Sequence, residues 1–484
     1  MTKSSFVETS QRSITPKRFH TDLSDPLMLS YAMKAQGVGL CAYLVALAAF
    51  QRGLSVTFHY ELASERAEFQ RAKVQGFRGE LFTISDGNKT HAFSRTLGDL
   101  TGAKAIAIGE DKHLSKIALK RAGISSPTGI CVKGKNIQAI KKFLQLNSKL
   151  RFVVKPHNGT MGKDVFTDLS PQEVLAKCKM LSDTQLIIEE YISGIEYRSI
   201  VAGYRFVGAF CKTPANVIGD GINTIDFLIQ AKNNLRRQNP WLGKNLITEL
   251  DAVTEHISKF NMTLESIPSL GEKVELLGTA NGSRGGDPVP VNDVKILKGL
   301  EKISVLACRA LEIPVSGLDI IVKKEGGIFR PYVLELNQRP HIGALTFPME
   351  GGSPGNIIGD AIIDFYFPHT VNNLKRKIAT FDFSVVASAL RSAQISKISL
   401  PTLTVDHRSI RLDVQGENAN RIFSTLQMAA NISGINMNYW QENEKRILLS
   451  LIYHKGQYDR FFELLPQYLK EVVSKADKKS SRKT

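Results

Sequence analysis

Cysteine is scarce in this chain, and none of it is paired in sequence. The five residues, Cys41, Cys131, Cys178, Cys211 and Cys308, are widely scattered with no C-x-x-C among them. That argues against a disulfide framework or a structural zinc site and fits a reducing compartment. Apolar runs long enough to cross a bilayer are also missing. The longest, Ala35–Phe50, lies between Lys34 and Arg52 and falls short of the roughly 20 residues a spanning helix needs. Its polar continuation, Gln-Arg-Gly-Leu-Ser, makes a poor cleavage region for an export signal. It reads as a buried helix leading into the strand Leu54–Tyr60, and the cytoplasm is the expected location. A Walker A loop fails too: around Gly162-Lys163 the first required glycine is His157, and Asp164 follows the lysine. No G-x-G-x-x-G opens a helix after a strand, which leaves a dinucleotide site unsupported. There is no internal repeat and no Ser–His or Cys–His arrangement.

What the chain does have is length and positive charge. Its 484 residues suggest about three domains. With 43% hydrophobic and 23% charged residues, disorder, collagen and coiled coil are excluded as overall descriptions. A net charge of +17 points to anionic partners, among which nucleic acid, acidic lipid and phosphorylated small molecules all qualify.

The pattern divides the chain into an α/β series. Residues 1–20 read as a loose arm, and 21–110 as a small α/β domain with β-like runs at 54–60, 80–87 and 105–110 and a hairpin turn at Asp86–Asn88. From 111 to 200 the order is helix, strand, glycine-containing loop, helix, strand. The first helix places Leu114, Ile117, Ala118 and Ala122 on one face and closes at Gly123. Residues 201–370 hold more strands and two helices. Residues 380–470 read as a separate α/β appendage, with strands near Arg411–Val414 and Arg446–Tyr453 around a helix from Ala419 to Ala430. The basic tail 474–484 is expected to be disordered.

Three pieces carry chemistry. In Val153-Val154-Lys155-Pro156, followed by a loop containing Gly159 and Gly162, the lysine ends an apolar strand and calls for an anion, since burying it unpaired is costly. The glycines would let backbone N–H groups approach phosphate oxygens. In the segment 186–197, Glu189, Glu190 and Glu196 cluster at a strand end, where carboxylates could meet an adenine amino group or ribose hydroxyls. In Gly317–Val322, a glycine turn and Tyr332–Asn337, strand periodicity puts Glu335 and Asn337 on one face, and the hairpin brings Asp319 beside them. Two carboxylates and an amide oxygen in apolar strands suit Mg²⁺.

The order DK, VVKP, EEYISGIEY, GLD, ELN resembles the ATP-grasp superfamily. The segments 215–224, 266–268 and Asn281–Gly286 are similar to the ATP-grasp module of bifunctional glutathione synthetases and of cyanophycin synthetases, over roughly residues 105–368. The other domains of those longer enzymes are not evident. The resemblance implies an α/β (α+β) ATP-grasp fold, with a pre-ATP-grasp domain over 21–110, a lid subdomain over 111–200 and a catalytic subdomain over 201–370. It implies that Lys112 and Lys155 hold ATP phosphates, that Glu189, Glu190, Tyr191 and Ile192 form the adenine hinge, and that Glu196 binds ribose. Lys212 would lie near the γ-phosphate. Asp319, Glu335 and Asn337 would hold two Mg²⁺ ions, with Mn²⁺ as the alternative. Asn281, Ser283, Arg284 and Gly285 would cover substrate, with Arg284 also catalytic. Arg339, in a Gln338-Arg339-Pro340-His341 run more like purine-biosynthetic ATP-grasp enzymes, would face phosphate or the oxyanion; His341 is a candidate base or a structural histidine.

The expected activity is therefore ATP-dependent ligation of a carboxylate to an amine through an acyl phosphate, on an amino acid or short peptide. The basic surface favours an acidic substrate, and a homo-oligomer is expected. Competing readings are a glutathione synthetase, a non-catalytic ATP-binding scaffold or regulator, and a nucleic-acid binder suggested only by charge.

Overall fold

The computed structural model describes residues 23–481 except 38, 61–78, 158–163, 351–352, 371–378, 392–394 and 404–406. The expected arm over 1–20, and Gly159 and Gly162, lie outside the described residues.

The run at 35–50 forms the core of the first layer. Helix α1 (Pro26–Lys34) precedes α2 (Gly39–Gln51), every residue of which is buried. A helix apolar on all sides has to be enclosed on all sides. One wall is an antiparallel sheet in the order β16-β1-β2-β3-β4, made of β1 (Ser55–His59), β2 (Leu81–Ser85), β3 (Thr90–Ser94), β4 (Leu97–Gly98) and β16 (Lys397–Ser399). Val56 and Phe58 alternate inward with Phe82 and Ile84, and the Phe82 and Phe93 rings stack at 5.3 Å. The hairpin expected at Asp86–Asn88 joins β2 to β3. The run at 105–110, by contrast, is not a strand. It is helix α3 (Ala103–Glu110), whose Ala105 and Ile106 are buried, because its short apolar residues also fit a helix of about two turns started at Gly102. The other wall is α10 (Ile357–Tyr366), tied to α2 by Arg52, which donates to Asp364 at 2.8 Å and to Asp360 at 3.0 Å. No helix among the described residues is long and apolar enough to cross a membrane.

Helix α4 (Lys112–Arg121) begins at Asp111, whose carboxylate accepts the His113 and Leu114 N–H groups. Its buried residues are Ser115 and Leu119, while Leu114 is exposed. The inward face is therefore rotated from the expected one, because Leu119 joins the apolar cluster that holds Val201, Leu318 and Leu336.

The sheet of the expected lid region has the order β5-β8-β6-β7, from β5 (Gly129–Lys133), β6 (Phe152–Pro156), β7 (Phe166–Leu169) and β8 (Gln185–Glu190). Helices α5 (Ile137–Leu146) and α6 (Pro171–Met180) cover one face, with Ile140, Phe143, Val174 and Cys178 against Phe152, Val154, Leu186 and Ile188. Alternation along the strands therefore turns Lys155 and Glu189 to the open face.

The central sheet runs β13-β10-β9-β14-β15, from β9 (Ile195–Ala202), β10 (Arg205–Thr213), β13 (Asp287–Pro290), β14 (Val315–Glu325) and β15 (Ile328–Asn337). β9 thus enters this sheet before residue 200, the expected edge of the lid. Helix α9 (Val294–Ala310) packs on the back through Leu300, Ile303 and Ala307, against Tyr197, Leu318, Ile320, Val333 and Leu336. Between β10 and β13 an insertion holds β11 (Asn216–Ile218), β12 (Lys273–Glu275), α7 (Ile225–Arg237) and α8 (Leu250–Ser258) around their own apolar cluster.

The appendage begins later than expected. Helix α11 (Phe383–Arg391) and β16 belong to the N-terminal layer, and the sheet β17-β19-β18 follows: β17 (Arg408–Gln415), β18 (Asn436–Asn443), β19 (Arg446–Tyr453). Helix α12 (Ala419–Ser433) joins β17 to β18, α13 (Lys455–Leu464) follows β19, and both pack on one face. The other face docks on the N-terminal layer. Ile452 and Trp440 join its core, the Tyr439 N–H donates to Tyr31 Oη at 3.3 Å, and Arg411 pairs with Asp25. The expected disordered tail from 474 is instead helical up to Ser481, in α14 (Gln467–Ser481), where Leu469 and Val473 bury into the same cluster.

Candidate active site

The front of the central sheet gathers polar groups that the back cannot accept. On β9, Glu196 and Arg198 are two apart and share the front face; in register, Arg198 lies opposite Asp319 and Asp319 opposite Glu335. Gly317 lies opposite Asn337. A β-bulge at Leu334 makes this possible. Val333 and Glu335 would otherwise share a face, but the extra residue leaves Val333 in the core and turns Glu335 forward.

These groups are paired closely. Arg198 grips Asp319 with two donors, Nε to Oδ1 at 2.5 Å and Nη2 to Oδ2 at 2.8 Å. Lys212, at the end of β10, bonds Glu196 and lies 2.8 Å from Asp319 Oδ1. Burial raises the Asp319 pKa, but Arg198 and Lys212 outweigh it and hold the carboxyl below the usual aspartate range. Gly317 leaves room for this: a Cβ there would stand 3.1 Å from Arg198 Nη1.

The β5-β8-β6-β7 sheet supplies a second set. Glu189 is nearly inaccessible and takes a lysine on each oxygen, Lys155 on Oε1 at 2.6 Å and Lys116, one turn after Lys112, on Oε2. Burial is the main reason the Lys116 ammonium falls to about 6 and that of Lys155 to about 8. Burial thus disfavours the charged form of both lysines, and an anionic ligand placed between them would restore it. Lys112 reaches across to Glu335 at 3.7 Å, and His157 Nε2 donates to Asp111 Oδ1 at 3.0 Å, at the helix start that carries Lys112.

The structure thus brings together Lys112, Lys155, Glu189, Glu196, Lys212, Asp319, Glu335 and Asn337. It differs from expectation in the hinge: Glu189 faces lysines, and the Glu190 and Tyr191 N–H groups donate to the Thr128 and Arg151 carbonyls at 2.8 Å each. These two bonds engage the Glu190 and Tyr191 amides at the end of the strand pairing. Arg284 lies at the rim, forked onto Glu249 with Nε contacts of 2.9 and 3.0 Å. Asn281 caps the short turn holding Ser283, with Gly285 at φ +88°. That turn sits beside Lys212, because β13 pairs Pro288 with Lys212. It is braced from beneath by Asp287, whose carboxylate takes Lys232 at 2.6 Å and the fully buried Arg236 at 2.5 Å. His341 lies 3.9 Å from Cys41; burial, with Arg95 and Arg198 nearby, lowers its imidazole to about 4. It is therefore neutral at pH 7 and poorly matched to take a proton there.

Sequence reading missed Arg198, Lys116 and Arg95. Arg198 was accessible, two residues from Glu196 along a strand, and so was Lys116 at i+4 from Lys112. Arg95 has no local signature.

Asp319, Glu335 and Asn337 fit Mg²⁺ by chemistry and placement: oxygen donors on one face, next to lysines that attract phosphate. No group of three or more His, Cys, Asp or Glu stands ready for a metal among the described residues. Two carboxylates and an amide form the sparse protein complement Mg²⁺ takes when phosphates and water complete its shell.

No family model matches the chain. It is 29% identical over 303 residues to the glutathione biosynthesis bifunctional protein of Clostridium perfringens, covering 59% of this chain and 37% of that one. To the same-named protein of Listeria innocua it is 30% identical over 276 residues, covering 54% and 35%. It thus spans little more than a third of the length of these curated relatives. Among solved structures, a bifunctional glutathione synthetase from Pasteurella multocida matches at 20% identity and a TM-score of 0.48, over 60% of this chain and 40% of that one.

Proposed function

We propose that this relative of the bifunctional glutathione biosynthesis proteins is an ATP-grasp ligase, joining a carboxylate to an amine with ADP and phosphate as products. The observation that carries the reading is the pairing of two polar faces. One face offers Lys155 from β6 and Lys116 from α4, whose charged forms an anion would favour, and the central sheet offers Asp319, Glu335 and Asn337 across from them, with Lys112 reaching Glu335. Triphosphate between the faces would meet cations from one side and metal-binding oxygens from the other. Glu196 would hold the ribose, and Ile192 the base edge.

Bound at Asp319, Glu335 and Asn337, two Mg²⁺ ions would neutralise phosphate charge that otherwise repels an attacking carboxylate. Lys212 is placed to leave Asp319 for the γ-phosphate. The substrate carboxylate attacks the γ-phosphorus and ADP leaves; the amine attacks the acyl carbon, loses a proton, and phosphate departs. Water has to be kept from the acyl phosphate, and the Asn281–Gly286 turn beside Lys212 is the segment suited to cover it. The amino acid or short peptide used is read here as acidic, in keeping with the charge of +17.

The test is release of ADP and phosphate with Mg-ATP against a panel of amino acids and acidic peptides, with mass detection of products and Glu335→Gln alongside. Turnover should need both a carboxylate and an amine, give a product equal to their sum minus water, and vanish in the variant. ATP binding with no turnover for any pair would favour a nucleotide-binding scaffold.

Lys155 adds a pH signature. The cationic form binds phosphate, and burial sets its free-protein pKa at about 8. Affinity for a non-hydrolysable ATP analogue should fall more steeply above about pH 8, by an added factor approaching tenfold per pH unit beyond the slope Lys116 contributes from about pH 6. Lys155→Arg should remove that added slope. Calorimetric titrations from pH 6.5 to 9.5 decide it, and a wild-type profile that does not steepen above about pH 8 would place Lys155 away from the phosphates.

A further inference from the structure

Between the N-terminal sheet and the loop after β15 lies a cationic corner that the phosphate and metal chemistry leaves unused. Arg95 forms the turn from β3 to β4 with φ at +56°, a left-handed conformation that non-glycine residues seldom adopt and hold only where their surroundings fix them. The turn is pinned on both sides. The Arg95 N–H donates to the Glu80 carbonyl at 2.9 Å, and the buried Thr96 hydroxyl donates to the Pro340 carbonyl at 3.2 Å. Pro340 is flanked by Arg339 and His341, so the pin sets Arg95 beside Arg339.

Among the described residues, neither guanidinium has a carboxylate at hydrogen-bonding distance. Arg95 Nε stands 3.8 Å from Glu80, and Arg339 Nη2 stands 3.7 Å from Glu110. Arg95 Nε is shielded from solvent and makes no hydrogen bond, an unfavourable state for a charged donor unless something else is bound. Arg198 differs, because Asp319 occupies it with two bonds. The corner therefore holds a strained, fixed arginine and a second one beside it, both with donors to spare. Planar forks of this kind match the two oxygens of a carboxylate.

We infer that Arg95 and Arg339 form a seat for a second, non-reacting carboxylate of the acyl donor, with Arg95 as a specificity-determining residue supplied by the N-terminal sheet. Its place in the reaction rests on the ligase reading, but the seat is a binding site and can be measured without turnover. The acyl donor it selects is a dicarboxylate, or a peptide that keeps a free carboxylate beside the one activated.

The probe is N-acetylglutamate, which has two carboxylates and no free amine, compared with its α-amide by calorimetry at saturating Mg-ADP. The wild type should bind the dicarboxylate about tenfold more tightly than the amide, the scale of a charge-assisted pair. Arg95→Asn keeps a side chain that tolerates the left-handed turn, and Arg95→Gln keeps the length. In both, the preference should fall below about threefold, with Mg-ADP affinity unchanged as the sign of an intact fold. A preference retained in both variants, or no preference in the wild type, would overturn the seat. Failure of the wild type to bind Mg-ADP would instead overturn the ligase reading, leaving the carboxylate preference to be read without nucleotide.

Discussion

Asp319→Asn is expected to lower ADP release by a factor of about 10²–10³, the usual effect of removing one preorganised charge partner from a transition-state site. The change is nearly isosteric, so the backbone stays in place while the electrostatics change. One oxygen becomes an NH₂ pointing at Arg198 or Lys212, and donor meets donor where the wild type has bonds of 2.5 and 2.8 Å. The face proposed to bind Mg²⁺ also loses one of its two carboxylates. Steady-state rates with the substrates found by the product screen check this, and a variant within threefold of wild type would remove Asp319 from the reaction. Stability should follow a definite pH course. The Asp319 pKa is depressed in the folded state. Its stabilising contribution is therefore present above the unfolded value of about 3.9 and is lost as pH falls through the lower folded value. The melting difference between wild type and variant should hold from pH 7 to 5 and shrink only in stronger acid.

The second large effect lies far from the chemistry. Arg52→Ala should destabilise the protein by about 3–5 kcal/mol, because two buried carboxylates lose the guanidinium they share. Asp360 and Asp364 are both buried and Arg52 bonds each, while the more exposed Arg205 also reaches Asp364 at 3.0 Å. The same arginine closes α2 onto α10, so its loss loosens the layer that contains the all-apolar helix. Denaturant titration measures the loss. Adding Asp360→Asn and Asp364→Asn to Arg52→Ala should recover much of it, since neutral amides no longer need a cation; no recovery would mean that Arg52 acts through packing alone.

What sequence could show of this molecule depended on whether a feature was local. The strands at 152–156, 185–190 and 446–453 and the buried helix at 39–51 announce themselves through apolar runs of the right length. Glu335 and Asn337 follow from period-two spacing, and Asp319 joins them because a glycine turn makes a short hairpin. Residues 105–110 misled because Ala and Ile at alternating positions satisfy both a strand and a short helix, and packing decided between them. Arg95 was out of reach for another reason. It meets Arg339 only through a Thr96–Pro340 bond that spans 244 positions, and no periodicity reaches that far. The pairing of Glu189 with two lysines was hidden likewise, since Lys116 comes from a different layer.

The strand β16 returns to lie against β1, pairing Thr57 with Ser399 and Phe58 with Ile398. During synthesis, β1 is made roughly 340 residues before its neighbour. At a translation rate of about 5–20 residues per second, that leaves an unpaired strand edge beside an entirely apolar helix for roughly 20–70 s. An edge of this kind is a template for pairing with other chains. The nascent protein is therefore most exposed to misassembly while its central sheet is still being made. Truncation anywhere between the central sheet and β16 would make that interval permanent, so shortened versions should collect in the insoluble fraction even when every residue of the candidate site is retained.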